Sequence, residues 1–146
     1  MADLDGLRQR VQQVLLDNDL KIELRKDALM VPFESTTVLV SCGEIGNDRT
    51  VVSLRGLVSQ EVPISADLKA FIADKSAEYL FGHLAYLEIE GTAYIEFRHN
   101  LLGDFLDPDE ILVALSAVAQ TSNDLDDVIK ERFGGERWID PHPSSG

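Results

Sequence analysis

The stretch that decides the fold runs from Glu78 to Trp138 and reads EYLFGHLAYLEIEGTAYIEFRHNLLGDFLDPDEILVALSAVAQTSNDLDDVIKERFGGERW. It predicts, in order, the end of a helix, two antiparallel strands, a polar loop and one long helix. Alternating apolar residues indicate the strands, and an apolar period near 3.6 residues indicates the helix. The order therefore predicts an α+β architecture, and it supplies no reaction.

The last predicted helix, from Pro108 to Phe133, carries the clearest signals in the chain. Asp107 is the expected N-cap, and Pro108 occupies the first helical position, where its missing N–H is not needed. Gly134 and Gly135 stop the helix. At about 1.5 Å per residue, this helix spans about 39 Å, which is long enough to cross a small sheet.

The hairpin before this helix is predicted over residues 84–90 and 93–99. Alternation places Leu87 and Ile89 on one face of the first strand, and Ile95 on the apolar face of the second. Directly opposed residues of an antiparallel pair share a face, so the two apolar sets meet only if the loop has an odd length. The sequence therefore predicts a three-residue loop of Glu90, Gly91 and Thr92.

The rest of the chain predicts a helix, three strands and a second helix before the hairpin. The predicted elements are a helix over 3–17, a possible short strand over 20–25, strands over 28–33, 36–44 and 50–58, and a helix over 66–81. The fold class is therefore α+β in the order α-β-β-β-α-β-β-α, with a twisted antiparallel sheet packed against helices. One domain is expected over residues 1–138, followed by a disordered tail over residues 139–146.

The composition limits the class of partner and the location. The chain has 26 acidic residues against 13 Lys and Arg, a net charge of -13 at pH 7. Nucleic-acid binding depends on Lys and Arg that displace counterions from phosphates, so no nucleic-acid partner is expected. No membrane partner is expected either, because an anionic surface repels this charge and no apolar run is long enough to span. The single Cys42 fits a reducing compartment, and we expect a cytoplasmic protein.

Residues that could carry chemistry are sparse. The residues with ligand or nucleophile side chains are scattered without a metal-ligand spacing: Cys42, His83, His99 and His142. The acids Asp104, Asp107, Asp109 and Glu110 crowd one loop where a divalent cation could bind, but helix capping and turn chemistry explain them without a ligand. Asp124, Asp126 and Asp127 are interpreted as a solvated helix face. No catalytic residue, metal or cofactor is expected.

The second face of the predicted sheet is mixed in character. The apolar and aromatic residues assigned to it, among polar neighbours and away from Leu87 and Ile95, are Leu39, Val51, Leu57, Tyr86 and Tyr94. An apolar patch with a polar rim is often an interaction surface. The alternative is that the long helix or another segment of the chain covers it. These five residues are the predicted partner-binding set.

Three segments resemble a known family. Residues 81–84 (FGHL), 98–104 (RHNLLGD) and 132–135 (RFGG) are similar to the YbjN family, which is grouped with type III secretion chaperones as peptide-binding chaperone-like domains. The predicted order of elements also resembles that fold. The resemblance implies no catalytic apparatus and a protein or peptide partner. Secretion chaperones of this fold are usually acidic homodimers that hold an extended segment of a client.

Three functions follow as hypotheses. The first is a non-enzymatic, chaperone-like adaptor that binds a partner protein or peptide through the mixed sheet face or a sheet edge. The second is a homodimeric regulatory or scaffold protein, similar to a regulator of sensory transduction, that holds no client peptide. The third is a metal-assisted hydrolase.

Overall fold

The computed structural model describes residues 3–46 and 48–138. The elements follow in the order α1 (Leu4–Asp17), β1 (Glu23–Leu24), β2 (Leu29–Phe33), β3 (Thr36–Ile45), β4 (Arg49–Pro63), α2 (Ala66–Glu78), β5 (His83–Ile89), β6 (Thr92–Leu102) and α3 (Pro108–Phe133). The α+β class and the order of the predicted elements are confirmed. The predicted tail over residues 139–146 lies outside the described residues.

The strands form one antiparallel sheet in the order β1-β2-β3-β4-β6-β5. The short strand predicted over 20–25 is reduced to β1, which pairs with Met30 and Leu29 at the edge. Strand β4 continues to Pro63, five residues past its predicted end at Val58. Register shifts after Leu57 and after Ser59 keep the extension paired with β6, so β4 is the longest strand.

The helices and alternate strand residues share one core. Its members include Leu7, Val11 and Leu15 of α1, Leu68, Phe71 and Ile72 of α2, Ile111, Leu115, Val118, Leu125 and Ile129 of α3, and Val38, Val40, Val52, Leu54, Ile95 and Phe97 of the strands. Helix α3 crosses β4 at Gly56, where a Cβ atom would overlap Ser122 Oγ and lie 3.0 Å from Val118 Cγ1. The missing side chain therefore lets α3 approach the sheet. Within residues 3–46 and 48–138, the helices lie on one face of the sheet and no helix lies on the other.

The hairpin between β5 and β6 has a different register from the predicted one. Ile89 pairs with Thr92 and Leu87 with Tyr94, so the loop contains only Glu90 and Gly91 and the three-residue prediction was wrong. Both loop residues have positive φ, 51° and 84°, as the common two-residue turn requires. The prediction assumed that Leu87 belongs to the core, whereas Leu87 points away from it and is 59% exposed.

Helix α2 ends three residues before its predicted end at Phe81. Its last residue is Glu78, and Tyr79 is already extended. Gly82, which the sequence suggested as the terminator, lies beyond that end and packs against Phe97, whose ring would be 2.7 Å from an added Cβ. Leu80 and Phe81 therefore lie outside the helix and are largely exposed.

Asp126 is not on a solvated helix face, so that interpretation was wrong for this residue. It is 1% exposed and accepts a hydrogen bond from the Ser35 hydroxyl. The Ser35 backbone N–H donates to Asn123 Oδ1 at 3.3 Å, and Arg137 Nε lies 3.5 Å from Asp126 Oδ1. This cluster joins α3 to the turn between β2 and β3. Ser122, one turn earlier, is also buried, which shows that a polar strip of α3 faces the sheet.

Candidate interaction surface on the open face and the β5 edge

We call the side of the sheet that faces away from the helices the open face. Strand pairing places Leu39 beside Arg55 and Arg55 beside Arg98, and it places Leu57 beside Glu96. Its further residues are Val51, Ser53, Leu87, Ile89, Tyr94 and Leu102. Among these, Leu87, Leu102 and Ile89 are exposed large apolar residues. The open face is therefore a mixed surface, as its sequence pattern predicts.

The five predicted partner-binding residues do not all lie on this face. Leu39, Val51 and Tyr94 do, and each is partly exposed. Leu57 also lies there but is only 9% exposed, so it offers little contact area. Tyr86 pairs with Ile95 and lies on the helix-bearing side, so its assignment was wrong. The error follows from the hairpin register, because a shift of one residue moves each side chain to the other face.

The segment after α3 covers one end of the sheet. Gln60 and Glu136 exchange two backbone hydrogen bonds of 2.9 Å, and Gln60 Nε2 donates to the Arg137 carbonyl at 3.1 Å. The Trp138 ring then lies 6.0 Å from the Tyr94 ring, measured between centroids. The segment after α3 therefore covers the mixed face near Tyr94, as the alternative in the sequence analysis proposed. Helix α3 packs on the opposite face.

A charged cluster lies in the middle of the open face. Arg55 donates to Glu96 Oε2 from Nε at 3.1 Å and from Nη2 at 2.8 Å, and Arg98 donates to Oε1. Burial alone would raise the pKa of Glu96, but the hydrogen bonds and charges of the two guanidiniums outweigh it and lower that pKa. Both arginine side chains remain nearly half exposed. Two cations around one carboxylate leave a local excess of positive charge.

The edge of β5 has backbone groups available for a further strand. The Leu84 N–H donates to Ser76 Oγ at 3.0 Å, and this hydroxyl donates to the Leu84 carbonyl at 3.2 Å. Leu84 therefore points its backbone groups away from β6, and alternation makes those of Tyr86 and Glu88 point the same way. Within the described part of the chain, no hydrogen bond outside the β5–β6 ladder reaches those groups.

The opposite edge of the sheet is protected. Strand β1 has only two residues, and its neighbour β2 contains Pro32, which has no N–H to donate. Short edge strands and edge prolines discourage the addition of another chain. Strand β5 is longer and contains Leu87 and Ile89, which are 59% and 44% exposed on the open face. The two edges therefore differ in their capacity to bind an extended segment.

The polar loop before α3 has structural roles. Asp104 Oδ1 accepts hydrogen bonds from Thr50 N at 3.2 Å and Thr50 Oγ1 at 2.8 Å, and Arg49 lies 3.3 Å from its other oxygen. The Thr50 hydroxyl, with help from Arg49, lowers the pKa of Asp104. Asp107 Oδ1 caps α3 by accepting from Glu110 N at 2.9 Å. A Cβ at Gly103 would lie 2.6 Å from Leu7, so close packing requires this glycine.

Two further kinds of feature are absent from residues 3–46 and 48–138. No group of three or more His, Cys, Asp or Glu side chains there is arranged to hold a metal ion. No helix in the same residues is long and apolar enough to cross a membrane.

Comparison with known proteins adds a family and a fold. The model of the family TY-Chap1, described as "T3SS (YopN, CesT) and YbjN peptide-binding chaperone 1", matches residues 5–141. The crystal structure of YbjN from E. coli, described as a candidate transcription regulator, is similar with a TM-score of 0.63 and 14% identity. The match covers 86% of this chain and 93% of that chain. No curated protein is significantly similar in sequence.

Proposed function

We propose that this protein, which belongs to the TY-Chap1 family of type III secretion and YbjN peptide-binding chaperones, is a non-enzymatic adaptor that binds a partner polypeptide on its open face. An extended segment of the partner adds to the edge of β5. The family supports a peptide or protein partner. The observation that carries the choice of surface is the β5 edge, with outward backbone groups at Tyr86 and Glu88 beside exposed Leu87 and Ile89.

Strand addition at this edge would use both its free backbone groups and its exposed apolar side chains. Main-chain hydrogen bonds supply affinity, and pockets for alternate side chains supply specificity. The N–H and C=O groups of Tyr86 and Glu88 offer up to four such bonds. Leu87 and Ile89 stand on the open face beside them, where alternate apolar side chains of the added strand would pack. An exposed apolar edge is a hazard in a protein with no partner, which supports a binding role.

The charged cluster indicates what else the partner contains. Arg55 and Arg98 hold Glu96 with only some of their N–H groups and keep the rest near solvent. A guanidinium binds a carboxylate strongly, because two parallel hydrogen bonds accompany the charge attraction. We therefore expect the bound segment to combine apolar residues with an Asp, a Glu or a terminal carboxylate.

A catalytic role has less support. The acids of the loop before α3 are engaged with Thr50, Arg49 and the first turn of α3. Burial raises the pKa of the Cys42 thiol, so this cysteine is a poor nucleophile at neutral pH and fits a structural position. A free thiol of this kind also fits a reducing cytoplasm, where we place the protein.

The test is a peptide selection followed by a binding measurement. Peptides are selected against the wild-type protein from a random phage-display library, and their Kd is measured by fluorescence anisotropy. Leu87→Asp should raise the Kd of the selected peptides at least tenfold. Leu16→Asp, which changes an exposed leucine of α1, is the matched control and should leave the Kd unchanged. Circular dichroism confirms that both variants are folded.

Two results would overturn this function. One is the selection of no peptide, and the other is equal Kd values for wild type and Leu87→Asp with every selected peptide. The homodimeric scaffold is distinguished by light scattering over a range of concentrations, because the β5 edge could also pair with β5 of a second copy. A dimer that Leu87→Asp converts to monomer, with no peptide binding in any form, would favour the scaffold.

A further inference from the structure

The helix-bearing side of the sheet is incompletely covered. Helix α2 ends at Glu78, before the sheet ends, and α3 lies mainly over β4. A groove of about 500 Å³ is left between the first half of α3 and the end of β6. Phe81, Phe97 and Val113 line its apolar part, and His99 lies among them. Its size falls within the range of about 300–1,000 Å³ for ligand-binding pockets.

Two apolar residues of this groove are exposed in the free protein. Val113 is 69% exposed, although α3 buries Ala114 and Leu115 beside it. Phe81 is 65% exposed and rests its ring 5.8 Å from the ring of His99. A pair of exposed apolar side chains on facing walls offers contact area to an inserted apolar group. This surface lies on the opposite side of the sheet from the open face.

The rim of the groove is acidic. Asp107, Asp109 and Glu110 line it, and no Lys or Arg does within the described residues. Burial lowers the pKa of His99, the imidazole in the groove, so His99 is neutral at pH 7 and does not offset these acids. The N-terminal dipole of α3 offsets them only in part. The groove therefore combines an apolar interior with a negative rim, whereas the open face has a positive centre.

We propose that this groove binds a second polypeptide segment, in which a large apolar side chain enters between Phe81 and Val113 and a flanking Lys or Arg meets Asp109 and Glu110. The occupant is a basic partner segment because the rim attracts cations. A second copy of the chain, with 26 acidic residues against 13 Lys and Arg, offers the rim fewer cations than a basic segment does. The proposed function supplies only one premise of this inference, that the partner is a polypeptide. The groove is a separate surface from the β5 edge.

The test uses a synthetic probe. A short peptide with Trp and Leu at its centre and lysines on both sides is compared with the same peptide carrying glutamates. Binding is measured by fluorescence anisotropy at about 150 mM salt, where distant charges are screened. The lysine peptide should bind at least tenfold more tightly than the glutamate peptide. Val113→Ser should weaken it about fivefold or more, because an exposed wall of the groove is lost.

Matched variants separate the groove from general attraction to an acidic protein. The double variant Asp109→Asn with Glu110→Gln should raise the Kd of the lysine peptide at least tenfold. Asp74→Asn with Glu131→Gln removes the same charge from exposed positions elsewhere and should have less than a twofold effect. Equal effects of the two pairs, or no binding by wild type, would overturn the groove. Leu87→Asp should leave this Kd unchanged, so the groove and the β5 edge can fail independently.

Discussion

Residues of the same type differ in exposure and packing between the two faces of the sheet. Leu54 on the helix-bearing face is fully buried, while Leu87 on the open face is mostly exposed. Gly56 is required by the approach of α3, whereas Gly43 on the open face has only an ordinary contact, 3.8 Å from Val51. The alternation of apolar residues in a strand therefore predicts which residues share a face, but it does not predict whether a helix covers that face. The cover is decided by where the helices lie, and both proposed binding surfaces lie where that cover is missing.

The largest expected difference between the faces is in leucine truncation. Leu54→Ala leaves a cavity in the core and should lower the free energy of unfolding by about 2–5 kcal/mol. Leu87→Ala should change it by less than about 0.5 kcal/mol, because that side chain is already in solvent. Urea denaturation measures both. Similar losses for the two variants would mean that the open face is covered in solution.

A smaller contrast is expected for the two glycines. Gly56→Ala places a methyl group against Ser122 and Val118 and should cost about 1–3 kcal/mol, because a packed interface must move apart. Gly43→Ala, the control in a strand on the other face, should be close to neutral. The same denaturation curves give the result. A neutral Gly56→Ala would show that α3 does not approach β4 closely.

The smallest expected effects come from one buried carboxyl on each face, Glu96 and Asp126. The pKa of Glu96 is lowered in the fold, so its contribution is present above about pH 4.3 and is lost as the pH falls through the lowered pKa. Burial raises the pKa of Asp126, and the Ser35 hydrogen bond offsets this only in part. The contribution of Asp126 is therefore present below about pH 3.9 and is lost as the pH rises through the raised pKa.

These two dependences can be read from pH-dependent unfolding of the variants. The stability of wild type relative to Glu96→Gln should increase from pH 3 to pH 7, and that relative to Asp126→Asn should decrease. Opposite slopes would support opposite environments for the two carboxyls. Slopes of the same sign would contradict the assignment of one of them.

Local signals in the sequence predicted the order of elements and both ends of α3. Asp107, Pro108 and Gly134 act through the backbone beside them, so no tertiary information was needed. The register of the hairpin was mispredicted because the exposure of Leu87 depends on which helix covers β5. The backbone conformation that Gly91 readily supplies was the local signal for a two-residue turn. The burial of Asp126 depends on Ser35, which is distant in sequence.

The candidate site was predictable in part. Alternation alone placed Leu39, Val51 and Tyr94 on a mixed face. The cluster of Arg55, Glu96 and Arg98 was missed because it joins residues of two strands whose adjacency is a property of the topology. A sheet edge was predicted as a binding surface, but the sequence did not identify which strand forms it, for the same reason. A Ser at position 76 gives no signal that it will bond to Leu84.

Hydrogen exchange of two backbone amides tests the central claim most directly. The amides of Tyr86 and Glu88 face outward from β5, whereas those of Ala85 and Leu87 face β6. When a selected peptide is bound, NMR-detected exchange at Tyr86 and Glu88 should slow at least tenfold, with smaller changes at Ala85 and Leu87. A peptide that binds tightly while Tyr86 and Glu88 exchange at their free rates would contradict strand addition at this edge.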